Sequence, residues 1–370
     1  MRGVRAPVRT KLRTVVSLKA TKVPRIPCGT VAAVFVGVVV AILCVGCGGA
    51  THHAAPRSHG HPHPLNGTEP AVAPALTRTP AGRVVAVGAA AEGIIAVPAA
   101  GVVAVAVRDP DRIALLSTRT GRLLRDIAIA GPARHLALDG ARTLLVPAAP
   151  IDRLLELPLA DGGAHARRDT RSVTTGALPH DAAALDGRVF VADEFGHAIS
   201  VIEGDRAVAR IGGFVQPGGI ADVAGRVALI DVAGDTVTLV DPRTLRELGH
   251  ANAGTGPTHD APGPDGRLYV TDTRGGVLYT FATRPRLRVL GRLDLPDRPY
   301  GIASDPADGR LFVTETGANR LVELDVSTPR PRILATFPTV RQPNTVAVDP
   351  TTGEVYVAGA DAGVVEELHP

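Results

Sequence analysis

The chain has 370 residues, 45% of them hydrophobic but only 3% aromatic, with no tryptophan and with 40 basic against 36 acidic residues, a formal net charge of +4. Eight of the basic residues and none of the acids precede Cys47, so the remainder carries 32 against 36, a net −4, and offers no electrostatic footprint for nucleic acid. All three cysteines, Cys28, Cys44 and Cys47, fall in this leading segment. The rest of the chain must therefore be held by core burial without disulfides, which a domain of about 290 residues can do.

In chain order, residues 1–27 are basic and residues 30–46, TVAAVFVGVVVAILCVG, are uncharged. A basic stretch followed by a short apolar one ending in small residues predicts an export signal. The run is shorter than the ~20 apolar residues of a spanning helix. Its end, Gly46-Cys47, resembles the bacterial lipobox. That resemblance implies a signal peptide over 1–46 and acylation (palmitate) of Cys47, which would anchor the domain to the cell membrane on its extracytoplasmic face. An uncleaved signal anchor and a secreted form are the alternatives. Met1 is the only methionine and the basic segment is long, so a start at Val23, read from a GUG codon, is a further expectation.

Residues 47–80 are rich in His, Pro, Gly and Ala and lack apolar periodicity, which predicts a loose, disordered tether. Its five histidines, His52, His53, His59, His61 and His63, can bind a divalent metal weakly through neutral imidazoles or serve only as a polar spacer.

From residue 83 onward the pattern is all β. RVVAVGA (83–89) reads as a lone strand. Then prolines at 132, 179, 217, 257, 299 and 343 each open a unit, at intervals of 47, 38, 40, 42 and 44 residues. Each unit has a small or apolar run, an Asp-Gly type turn, a β-branched run such as VFVAD, VALID, LYVTD or LFVTE, and a third strand such as AISVIEG or RLVELDV. This period is that of four-stranded propeller blades. Units over 93–130, 131–176, 177–214, 215–254, 255–295, 296–337 and 338–370 make seven. The last shows only three strands, so strand 83–89 is expected to complete it and remove the open edge. The second unit is the least regular, because 158–176 reads as a long loop or a diverged outer strand.

VFVADEFGHAISVIEGDRAVARI followed by QPGGIA, together with PYGIASDPADGRLFVTETGANRLVELDV from Pro299, resembles the YVTN-type and NHL-like β-propellers over roughly residues 93–370. The resemblance implies a seven-bladed, four-stranded propeller over 81–370. It fixes fold rather than activity, because propellers host binding modules and enzymes alike.

Two units repeat one pattern at equal spacing, HDAAALDGRVFVAD from His180 and HDAPGPDGRLYVTD from His259. His135 stands ten residues before Leu145, as His180 and His259 stand before Phe190 and Tyr269. Asp231 and Glu315 take the place of Asp193 and Asp272 in two further units. His135, His180, Asp181, Asp193, Asp231, His259, Asp260, Asp272 and Glu315 are therefore expected to ring one mouth of the channel as a face for a polar ligand or a divalent metal. The competing reading is that Asp at these turns caps backbone N–H groups and that the histidines are inherited substitutions.

No tryptophan-based repeat, G-x-S-x-G elbow or H-E-x-x-H helix is present. Ala91-Glu92-Gly93 resembles the metal-binding glutamate of gluconolactonase-like propellers. The expectation is a monomeric, lipid-anchored propeller that binds a protein or small molecule rather than an enzyme. A metal-dependent hydrolase of the lactonase class using Glu92, and a metal-handling lipoprotein using its tether, are the alternatives.

Overall fold

The structure, a computed structural model, describes residues 68–165 and 169–370. These residues form seven four-stranded antiparallel sheets arranged as the blades of a β-propeller. The expected export signal, Cys47, the expected start at Val23 and the histidines at 52, 53, 59, 61 and 63 lie outside the described residues.

Blade 1 runs from Ala91–Val97 to Leu123–Ala128, blade 2 from Ala137–Asp139 to Arg171–Thr174, and blade 3 from Pro179–Leu185 to Arg206–Gly212. Blade 4 runs from Pro217–Asp222 to Glu247–Asn252, blade 5 from Pro257–Pro262 to Arg288–Asp294, and blade 6 from Pro299–Asp305 to Arg332–Pro338. Blade 7 comprises Pro343–Val348, Val355–Gly359 and Val364–Leu368, and its fourth strand is Arg83–Ala86, paired antiparallel with Val364–Leu368. The ring thus closes by its early strand, as expected.

One boundary differs from the sequence reading, and the irregular second unit resolves within it. Blade 1 begins at Ala91 rather than 93, because Ala91 already pairs with Val107. Blade 2 is complete: a loop with a short 3-10 turn at Asp161–Gly163 leads into a four-residue outer strand.

The second and third strands of each blade carry the β-branched and leucine runs, and they are the buried ones, as in Val102–Val107 and Val227–Asp231. The outer strands are mostly exposed, and each carries charged residues, which discourage pairing with another sheet. Apolar side chains from facing sheets gather into seven clusters, one between each pair of neighbouring blades. Each blade therefore needs both neighbours to bury its faces. Asp186 and Gly187, both at positive φ, form the two-residue turn that sets the register Leu185↔Arg188 in blade 3.

The inner strands fix the orientation of the channel. Pro179 pairs with Asp193, Pro217 with Asp231, Pro257 with Asp272 and Pro299 with Glu315, so the opening prolines and these acids share one face, here called the upper mouth. The inner strands end toward the opposite, lower mouth.

Candidate functional site: a histidine neck and an acidic chamber

Blade 2 opens irregularly, with its inner strand starting only at Ala137, and the freed segment carries Arg134 and His135 into the channel. Gly93 permits this approach: a Cβ there would stand 2.9 Å from the Arg134 carbonyl oxygen and 3.0 Å from His135 Cα. His135 meets both of the other candidate histidines, with ring centroids 4.7 Å from His180 and 4.7 Å from His259. The three imidazoles thus converge at the middle of the channel although their blades are not all adjacent.

The hydrogen bonds order this neck. His259 Nδ1 lies 3.1 Å from the Tyr300 carbonyl oxygen, an acceptor only, so Nδ1 carries the proton and Nε2 keeps a lone pair. His135 Nε2, 3.2 Å from His259 Nε2, must then be the donor. The Tyr300 ring stands edge-on to His259 at 4.5 Å. His180 Nδ1 faces the Gly218 backbone without a hydrogen bond of ordinary geometry. Burial lowers all three: His135 falls well below the usual imidazole range, His180 to about 3 and His259 to about 4. It is reinforced by the neighbouring histidines and Arg134 at His135, by Arg134 and His259 at His180, and by Arg134 against the Tyr300 hydrogen bond at His259. All three are neutral at neutral pH. Among the described residues, no group of three or more His, Cys, Asp or Glu side chains is arranged to hold a metal ion.

Above the neck the channel is covered by the chain itself. The segment expected to be part of a loose tether is, from Thr68 to Pro74, strapped across the upper mouth. Ala71 N donates to Thr316 Oγ1 (3.2 Å) and Ala73 N to Gln342 Oε1 (2.9 Å). Gln342 Nε2 donates to the Ala71 carbonyl (2.7 Å) and Asn319 Nδ2 to the Pro74 carbonyl (2.9 Å). Glu69 is clasped by Arg134, with Nη2 to Oε2 at 2.6 Å. Beneath this strap remains a space of only about 20 Å³, bounded by Glu69, Arg134, His180, Glu194 and Tyr300 among others. That is room for about one water.

The acids expected to ring this mouth are engaged in holding loops. Asp231 accepts from the backbone N–H groups of Val215 (2.8 Å), Gln216 (2.7 Å) and Gly234 (3.1 Å). Asp272 does the same for Thr255 and Gly275, at 3.1 and 2.9 Å. Asp193 Oδ2 accepts from Ser200 Oγ at 2.6 Å while Oδ1 has no hydrogen-bond partner, and burial raises this carboxyl to about 6. Glu315 is bound by Arg320 and by the Asp297 N–H. These four side chains are buried and do not share a ligand face. Glu92 is likewise occupied, 2.9 Å from Arg108 Nη2 and 3.7 Å from Arg134 Nε. A glutamate between two guanidinium groups is a poor ligand for a metal cation.

Below the neck lies a chamber of about 400 Å³ to which all seven blades contribute. His135, Asp181, His259 and Asp260 line it, with Asp222 and Ser304 where the inner strands end; Ala, Ile, Leu and Val provide most of the remaining wall. Asp181 and Asp260 flank residues 219–220 of blade 4. Asp181 Oδ2 is 3.3 Å from the Ile220 N, and a Cβ on Gly219 would lie 3.0 Å from Asp260 Oδ1. Asp260 Oδ2 has no hydrogen-bond partner. Burial raises Asp181 to about 7, and burial together with the Asp181 charge raises Asp260 well above the ordinary carboxylate range.

The structure therefore brings together His135, His180, His259, Asp181 and Asp260, and separates them from Asp193, Asp231, Asp272 and Glu315. The repeated His-Asp pairs carried the signal for the first group. Glu69, Arg134, Glu194 and Tyr300 were not singled out; Arg134 adjoins His135 in sequence, but Glu69 sits in a stretch without any pattern.

No family model matches the chain, and no curated protein does. Solved structures do. The hydrazine synthase of Kuenenia stuttgartiensis is similar at 17% identity and a TM-score of 0.65, covering 76% of this chain and 96% of that one. Virginiamycin B lyase from Staphylococcus aureus gives 14% identity and a TM-score of 0.64, covering 78% and 99%. A chain of the mitotic checkpoint complex gives 14% identity and 0.66, covering 85% and 99%. Two of these names belong to enzymes and one to a protein assembly. At such identities the likeness establishes the seven-bladed propeller fold and no activity.

Proposed function

We propose that this protein is a lipid-anchored, extracytoplasmic propeller of YVTN or NHL-like type that binds a small molecule in the chamber below its histidine neck. The observation that carries this reading is the chamber itself. Its volume of about 400 Å³ lies within the roughly 300–1,000 Å³ of small-molecule sites, and apolar walls with a few polar groups are their usual lining. At the upper mouth only about 20 Å³ remains between the strap and the neck, and the cleft of about 330 Å³ beside the strap is lined by Thr68, Glu69, Ala71, Thr273, Arg274 and Arg298, with almost no apolar wall. The Glu92 pairing with two arginines argues against a lactonase-type metal centre. A metal-handling role would rest on the tether histidines, and binding of a protein partner would use the propeller's outer faces; neither has a specific observation behind it.

Two experiments test the proposal. Ser304 lies at the lower end of the chamber and is only half-buried, so Ser304→Trp should obstruct entry without breaking the core. Compounds that raise the melting temperature of the wild type but not of Ser304→Trp support binding in the chamber; compounds that stabilise both equally contradict it. Cys47→Ala should release the domain from the membrane fraction or leave an uncleaved precursor, because stable anchoring needs more than one acyl chain. Unaltered acylation in that variant would refute the anchor.

A further inference from the structure

The chamber wall has an asymmetry of charge. Asp181, Asp222 and Asp260 line it, and no lysine or arginine does. The arginine nearest the neck, Arg134, borders the space above it and is turned to Glu69 and Glu92. The two histidines facing the chamber are neutral and committed to each other through the His135–His259 hydrogen bond. Nothing on the wall therefore complements a carboxylate, while Asp260 Oδ2 is left without a partner.

Each ligand class meets this wall differently. An anion would enter a desolvated space facing acids and no cation, which is strongly unfavourable. A hard divalent cation needs about six to eight oxygen ligands, and most of this wall is Ala, Ile, Leu and Val. A single positive charge on an apolar body satisfies both halves. Burial keeps Asp181 and Asp260 largely protonated before a ligand enters. An ammonium head displaces a proton from the pair to solvent and lies against the carboxylate so formed, and the body removes hydrocarbon wall from water.

We propose that the chamber takes a small organic cation, a protonated primary or secondary amine carrying an apolar group, with its ammonium held by Asp181 and Asp260; this rests on the chamber being the binding site. Both acids come from the two His-Asp repeats, in blades 3 and 5, and reach the same place from either side of the Gly219 backbone. Glycine at 219 is part of the device, since a side chain there would press on Asp260 Oδ1. The repeated His-Asp pairs thus have divided duties: the histidines close the channel and the aspartates select what lies beneath them.

The test is calorimetric titration of the full chain, in detergent, with phenethylamine, cyclohexylmethylamine and tryptamine, each matched to the alcohol of the same skeleton. At least one amine should bind about tenfold or more tightly than its alcohol. Asp260→Asn and Asp181→Asn keep the shape and remove the carboxyl that can ionise against an ammonium. Each should weaken that amine by about tenfold or more while leaving alcohol binding within about twofold. Equal affinity for amine and alcohol, lost in Ser304→Trp, would overturn the preference for a cation and leave the chamber as the site. Unchanged amine affinity in both asparagine variants would overturn the role of the pair. Failure of every amine and alcohol to bind would overturn both this inference and the chamber reading.

Discussion

The two mouths of the channel are built from the same repeats, yet Asp231, Asp272 and Glu315 at one and Asp260 at the other are used in opposite ways. At the upper mouth Asp231 is saturated by backbone N–H groups and Glu315 by Arg320 and a backbone N–H, and the chain's own strap lies across the opening. At the lower side Asp260 has an oxygen without a partner beside a chamber of about 400 Å³. An acid whose bonds are all made stabilises a fold; one that is buried with bonds unmade costs stability and is a candidate for function.

Four changes would break or sharpen this contrast. The largest effect is expected at the closure. Deleting the chain through Ala86 removes the outer strand of blade 7 and exposes Val364–Leu368 as an edge, and the melting temperature should fall by more than about 10 °C. Deletion through residue 67 should leave it unchanged. Equal melting of the two truncations, followed by circular dichroism, would contradict the closure.

Next come the acids. Asp231→Ala leaves the buried Gln216 N–H and the half-buried Val215 N–H without their acceptor and should cost about 2 kcal/mol in urea unfolding. Asp260→Asn should cost nothing or stabilise, because it removes a buried carboxyl that the fold does not pair. A larger loss in Asp260→Asn than in Asp231→Ala would erase the distinction between the mouths.

The pH dependence is a smaller effect with a definite sign. Asp181 is raised to about 7 in the folded state by burial, so the fold holds its proton where the unfolded chain has released it. Its contribution is fully present below the unfolded value of about 4 and is lost as the pH rises through about 7. The histidines act in the opposite sense: lowered by burial, they contribute above about 6.5 and lose that contribution as the pH falls toward their folded values. Asp181→Asn should therefore gain stability relative to wild type between about pH 5 and pH 8. A constant difference across that range would contradict the burial of this carboxyl.

The smallest effect belongs to the strap. Truncation through residue 80 removes its hydrogen bonds and the buried Ala73, and should cost about 1–2 kcal/mol relative to truncation through residue 67. Identical unfolding midpoints would mean that the segment from 68 contributes nothing to the propeller.

Much of this could be read in the sequence, because propeller blades are local. Each opening proline, two-residue turn and β-branched run declares itself within about 40 residues, and the missing fourth strand of the last blade pointed to 83–89. The Asp-x-x-Gly runs at 231–234 and 272–275 also spoke locally, since the carboxylate bonds the glycine N–H three residues on. What was not legible depends on position across the ring. Whether His135 reaches His180 and His259 turns on the unravelled start of blade 2 and the room that Gly93 gives it. The strap could not be read because its contacts span some 245 to 271 positions and follow no hydrophobic period.

The contrast between the mouths is tested most directly by thiol accessibility, which needs no knowledge of the ligand. With Cys28, Cys44 and Cys47 replaced by serine the chain has no other cysteine, so single thiols can be placed at will. Ser304→Cys puts one in the lower chamber and Thr258→Cys one beneath the strap. The aminoethyl and sulfonatoethyl methanethiosulfonates differ mainly in the sign of their charge. Ser304→Cys should react readily, and about tenfold or more faster with the cationic reagent than with the anionic one, because an acidic cleft concentrates cations. Thr258→Cys should react slowly with both until Glu69→Ala loosens the strap. Equal rates for the two reagents at Ser304→Cys, or a Thr258→Cys that reacts as fast as Ser304→Cys with the strap intact, would contradict an open acidic chamber beneath a closed upper mouth.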